Sequence, residues 1–79
     1  MKFEFSKHAK AMIKERNITE EWVWNALLAP MYKDFRPDNN IHYFKSIPKQ
    51  DGKVLHVVVT PNTKPPKFVT AFFDRRRKK

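Results

Sequence analysis

Cysteine is absent from this 79-residue chain, and glycine occurs once. The first absence excludes disulfide staples and thiolate metal sites, so a chain this short depends on one compact apolar core or on a partner. The second leaves no glycine pattern for a loop that cradles nucleotide phosphates. No apolar stretch approaches the roughly 20 residues that span a bilayer, and Met1-Lys2-Phe3-Glu4-Phe5 lacks the apolar centre of a signal peptide. There is no His-Glu-x-x-His helix, no internal repeat and no low-complexity segment apart from the basic end. These absences lead us to expect a cytoplasmic protein with one domain over residues 1–79, no cofactor, and no membrane contact.

Negative charge is also scarce. Eight Asp and Glu face seventeen Lys and Arg, a formal balance of +9. Such an excess speeds encounter with phosphate-bearing partners before any specific contact forms. RNA, DNA and anionic membrane surfaces all satisfy it, and nucleic acid is the partner we expect. The charge gathers at the C-terminal end, Arg75-Arg76-Arg77-Lys78-Lys79, and along Lys7, Lys10 and Lys14. These groups would hold a phosphate backbone and make binding salt-sensitive without reading sequence. Seven Phe, two Trp and two Tyr supply core volume, or faces on which bases stack.

The chain divides into two helices followed by four strand-like segments. Ser6 is a good N-cap for a helix over about Lys7 to Arg16, with Ala9, Met12 and Ile13 recurring at helical spacing. Asn17 suits the left-handed residue that ends a helix. Thr19-Glu20-Glu21 opens a second helix, with Ile18 placed to staple onto Val23 and Pro30 ending it. Trp22, Val23, Ala26 and Leu27 form its apolar stripe. The strand segments are Met31 to Arg36, Ile41 to Ile47, Lys53 to Thr60 and Lys67 to Asp74, separated by turns rich in Pro, Asp, Asn and Gly. Short connections favour antiparallel neighbours. Helices segregated from strands favour an α+β fold with the helical hairpin on one face of a four-stranded, mainly antiparallel sheet. In the last strand we expect Val69 and Ala71 to supply the core, with Thr70 and Phe72 on the other face.

A resemblance rests on Phe5-Ser6-Lys7-His8-Ala9, Lys14-Glu15-Arg16-Asn17-Ile18-Thr19-Glu20-Glu21, Ala26-Leu27-Leu28-Ala29-Pro30, Tyr43, Val54-Leu55-His56-Val57-Val58-Val59 and Val69-Thr70-Ala71-Phe72. Together they resemble a small family of uncharacterised function that is similar to the BrnT and RelE toxins. The likeness covers nearly the whole chain. It implies a RelE-like architecture with a curved antiparallel sheet, metal-independent RNA cleavage, and an acidic antitoxin protein as partner. This sequence departs from the family pattern at Asn17, where Gly is usual, at Met12, where a basic residue is common, and at His56, where Arg or Lys often stands.

Metal-independent RNA cleavage needs a base for the 2′-hydroxyl proton, cations beside the charged phosphorane and an acid for the leaving oxygen. Imidazole suits the proton transfers. His8, His42 and His56 are the three histidines. At about 100° per residue His8 and Arg16 stand roughly 80° apart and could border one groove. Pairing of the second and third strands around Gln50 would bring residue 43 near 57 and 45 near 55, leaving His42 and His56 opposite or diagonal. We expect Leu55, Val57 and Val59 to face the helices, with His56, Val58 and Thr60 on the open side. Dispersed histidines without an evident carboxylate partner make a poor metal site.

The expectation is therefore an RNA-binding, toxin-like endoribonuclease. His8 and His56 would transfer protons, Arg16 would stabilise phosphate, and Tyr43 would orient the substrate or stack. His42 would join the nucleic-acid-binding groups, and ribosome-associated mRNA is included among the substrates. Two other functions fit the same residues. One is a non-catalytic RNA- or DNA-binding module. The other is a protein-interaction domain or homodimer that uses Trp22, Trp24 and the last strand, with Trp24 on a different face of its helix from Trp22.

Overall fold

The computed structural model describes residues 3–63 and 66–78, except for the side chains of 75–78. In chain order the elements are α1 (Lys7–Glu15), α2 (Glu20–Leu28), β1 (Tyr32–Phe35), β2 (Ile41–Ile47), a 3-10 turn (Pro48–Gln50), β3 (Lys53–Thr60) and β4 (Lys67–Lys78). The result is an α+β fold, two helices followed by an open four-stranded antiparallel sheet in the order β1-β2-β3-β4. No described helix is long and apolar enough to cross a membrane.

Local chemistry accounts for the helix ends. The Ala9 amide donates to Ser6 Oγ at 3.0 Å, and the Trp22 amide donates to Thr19 Oγ1 at 3.1 Å. Each cap satisfies one amide that the first helical turn leaves without a partner. Asn17 takes φ 58°, so the chain reverses within the short link between α1 and α2. Ile18 and Val23 are both buried, the expected staple across the start of α2.

Each sheet connection is a hairpin. Tyr43 opposes Val57 and Lys45 opposes Leu55, the register expected from a turn near Gln50. That turn closes with Asp51 at φ 57° and the sole glycine, Gly52, at φ 72°. Side chains alternate across the sheet. Tyr43, Leu55, Val57, Val59, Phe68 and Ala71 join Ala9, Ile13, Ile18, Val23, Ala26 and Leu27 in the core beneath the helices. Phe44, Val54, His56 and Val58 are buried on the opposite face.

The last strand departs from expectation twice. Val58 opposes Thr70 but Val59 opposes Phe68, so Val69 has no partner in the ladder. It is 44% exposed, while Ala71 is fully buried. The expectation that Val69 supplies core is corrected by this bulge: an extra residue breaks the alternation and turns its side chain outward. The strand also continues past Asp74 to Lys78, with Lys78 opposite Lys53. Arg75, Arg76, Arg77 and Lys78 thus have strand backbone, but their side chains, and the whole of Lys79, lie outside the described residues.

The N-terminal segment is tied to the start of β4. The Glu4 amide donates to the Pro66 carbonyl at 2.9 Å, and the Phe68 amide donates to the Glu4 carbonyl at 3.0 Å. Phe5 stacks on Phe68 at 4.7 Å, and Trp24 contacts both Phe3 and Phe5 at 5.8 and 5.4 Å between centroids. Trp24 does leave the face of Trp22, as its spacing requires, but it enters this aromatic cluster. Trp22 packs edge-on against Phe73.

Candidate functional site

Two groups of polar side chains stand out, one along the edge strand β4 and one within the sheet face opposite the helices.

The first is built by α1. Ala9 and Ile13 turn inward, which directs Lys7, Lys10 and Lys14 to solvent as one stripe. His8 is exposed on the flank that also carries Met12 and Arg16, because residues four apart share a helix face. That flank meets β4. Arg16 Nη1 donates to the Ala71 carbonyl at 2.8 Å and to Thr70 Oγ1 at 3.2 Å, and the Thr70 hydroxyl lies 3.5 Å from Met12 Sδ. Phe72 follows on the same strand and is 37% exposed. The structure therefore puts His8 and Arg16 on one flank of α1.

The second group is a line of four side chains. His42 opposes Val58 and His56 opposes Phe44, so the two imidazoles are diagonal neighbours on one face. His42 Nδ1 lies 2.7 Å from His56 Nε2. At the far ends, His42 Nε2 lies 3.0 Å from Asp38 Oδ2, and His56 Nδ1 lies 3.7 Å from Asp74 Oδ2. Both histidines are buried, at 7% and 5% exposure. The His56 ring sits between Phe44 and Phe72, at 4.3 and 4.6 Å. Tyr32 packs on the far side of Phe44, and the Arg36 guanidinium lies over that ring while pairing with Asp34. The Asn40 backbone N–H, followed by His42, holds the Asp38 carboxyl below its usual range.

The expected active-site group is thus divided. His56 shares its face with His42, as the register suggested, but that face is closed over both rings. His8 stands on the helical side. Tyr43 is in the core, 7% exposed, where burial pushes its hydroxyl pKa up; the Lys33 ammonium lies 6.0 Å from its ring centre. Lys7, Lys10 and Lys14 are exposed as expected.

Sequence reasoning missed Asp38 and Asp74, and the statement that the histidines lack carboxylate partners is corrected. A turn folds Asp38 back over His42, while Asp74 reaches His56 across a strand pair. The Asp38 interaction was open to inference, because Pro37-Asp38-Asn39-Asn40 is a turn sequence ending two residues before His42. The Asp74 contact depends on a β3/β4 register that includes a bulge, which no local signal announces. The four groups form a line, and among the described residues no set of three His, Asp or Glu is placed to hold a metal ion.

Comparison with curated proteins and with solved structures finds no match. A family model described as a domain of unknown function, DUF4258, matches residues 5–73, nearly the whole folded chain. The chain belongs to that family.

Proposed function

We propose that this chain binds RNA along the α1 and β4 edge, and that it acts there as a toxin-like, metal-independent endoribonuclease. The observation that supports this is Arg16, anchored on the edge strand, with the exposed His8 on the same flank of α1; Lys7, Lys10 and Lys14 add positive charge from a solvent-facing stripe on the other flank of that helix. Arg16 spends Nη1 on Thr70 and Ala71, which leaves Nε–H and the Nη2 hydrogens for a phosphate. His8 is the imidazole that an RNA lying on this edge can reach, and exposed Phe72 offers a face for a base. The basic C-terminal residues would extend the electrostatic track. An acidic antitoxin protein, ribosome-associated mRNA and self-association are further elements of this proposal, in a cytoplasmic setting.

A second function is favoured by one observation, the burial of His42, His56 and Tyr43. A face closed over two of the chain's three histidines supports a module that binds nucleic acid without cleaving it.

The test is to incubate labelled RNA with the protein in EDTA, with and without ribosomes, beside His8→Ala and beside single-stranded DNA. Cleavage products that persist in EDTA and vanish with His8→Ala support the enzyme. Salt-dependent binding with no products, retained in His8→Ala, replaces it with the binding module. Intact RNA and no binding at low salt defeat both.

A further inference from the structure

The line Asp38, His42, His56, Asp74 contains three gaps: carboxylate to ring, ring to ring, and ring to carboxylate. The first two are of hydrogen-bond length, at 3.0 and 2.7 Å, and the third, at 3.7 Å, is of ion-pair length; each is best arranged when it holds one proton. Two neutral imidazoles bring two ring protons between them, one too few for three gaps. In that state one gap sets a bare ring nitrogen against a carboxylate, or two bare nitrogens against each other.

One added proton fills all three gaps and gives the pair a single positive charge between two carboxylates. A fourth cannot be accommodated. Both rings would then carry N–H at both nitrogens, and two N–H groups would face each other across 2.7 Å within a buried face. The pair must separate, and because each ring packs on its neighbours, that separation loosens the face holding Phe44, Phe72, Val54 and Val58.

We propose that these four side chains form a pH-sensitive latch on the sheet face opposite the helices, closed when it holds three ring protons and loosened when it loses one or gains a fourth. The charged groups described around it come from three elements. From the β1–β2 turn comes Asp38, kept ionised by the Asn40 amide and His42. From β4 comes Asp74. From β1 come Asp34 and Arg36, which neutralise each other at 3.1 Å. Tyr32 packs its ring on Phe44.

Linkage gives the direction on each side. Losing the third proton opens a gap between groups that only folding brings together, so stability falls as pH rises past the point where that proton leaves. A fourth proton sets two N–H groups against each other only in the folded chain, so stability also falls as pH drops far enough to add it. The pH range to search is about 5 to 8, where imidazoles ordinarily titrate. The latch does not depend on the RNA proposal.

The experiment is urea unfolding of the full-length chain at a series of pH values across that range, with Asp38→Asn and His42→Gln in parallel. The wild-type midpoint is expected to pass through a maximum. Asp38→Asn lies in an exposed turn, and its amide can accept from or donate to His42 Nε2. It should therefore lose the alkaline arm and keep the acidic one, whereas a merely structural role would lower the midpoint equally at every pH. His42→Gln should lose the acidic arm, because the opposed N–H pair cannot form. Imidazole ¹⁵N spectra of the wild-type chain give a second measurement that needs no variant: three of the four ring nitrogens should carry hydrogen at the pH of greatest stability. A flat or monotonic wild-type midpoint, or four protonated nitrogens in a chain with unchanged fold, overturns the proposal.

Discussion

Replacing Arg16 separates its structural role from its proposed electrostatic one. Its Nη1 group ties α1 to β4 through the Ala71 carbonyl at 2.8 Å, in a partly buried position, and through Thr70 Oγ1 at 3.2 Å, in an exposed one. A hydrogen bond from a charged donor contributes about 1.5–3 kcal/mol when protected, and much less where water competes. The partly buried bond therefore carries most of the effect, and we expect Arg16→Ala to cost about 1–2 kcal/mol. For a domain this small each kcal/mol moves the melting temperature by about 4–8 °C, which puts the shift at about 5–15 °C in a thermal melt. Arg16→Lys keeps the charge but not the planar fork, so it should recover little of that stability. Thr70→Val should cost less than Arg16→Ala, because the Ala71 carbonyl bond survives it. If Arg16 also holds phosphate, Arg16→Ala should weaken RNA binding by a similar factor for every sequence. The slope of log affinity on log salt should then shrink by about 0.7, the value of one contact to a single strand. An Arg16→Ala protein that melts with the wild type refutes the tether argument. An unchanged salt slope refutes the phosphate contact.

Three further outcomes can be measured by chemical denaturation. Asn17 holds φ 58° at the end of α1; Asn17→Val should cost about 1–2 kcal/mol for forcing a branched residue there, while Asn17→Gly should stabilise by less than about 1 kcal/mol. The Tyr43 hydroxyl has its pKa raised by burial, so above the pKa of an exposed tyrosine the unfolded chain ionises first and stability declines; Tyr43→Phe should remove that contribution from the alkaline loss. Val69 is turned out by the bulge and Ala71 is fully buried. Val69→Thr should therefore change stability by no more than about 0.5 kcal/mol, whereas Ala71→Leu should cost about 1–3 kcal/mol through overpacking.

The parts of the molecule that could be anticipated are those set by short-range chemistry. Ser6 and Thr19 cap the helices, Asn17 and Pro30 end them, and the mostly β-branched run from Val54 to Val59 forms a strand. Each of these acts on residues within about one turn or one strand-length of itself. The β2–β3 register was also accessible, because a short turn near Gln50 leaves few pairings that keep Leu55, Val57 and Val59 on one face. The same alternation placed His56 opposite the core.

By itself, then, the sequence determined the element order, the α+β class, the caps, the excess of positive charge and the face on which His56 lies. Tertiary structure alone decided how that charge and those rings are used. It closed the far face over His42 and His56, supplied Asp38 and Asp74 at their ends, turned Val69 out of the core, and drew Trp24 against Phe3 and Phe5. It also set Arg16 against the β4 edge, 54 and 55 residues away along the chain. The physical reason is the range of the interactions. Propensity, capping and alternation act over a few residues, whereas the pairing of two imidazoles or the reach of a guanidinium depends on strand register, bulges and packing contributed by distant segments.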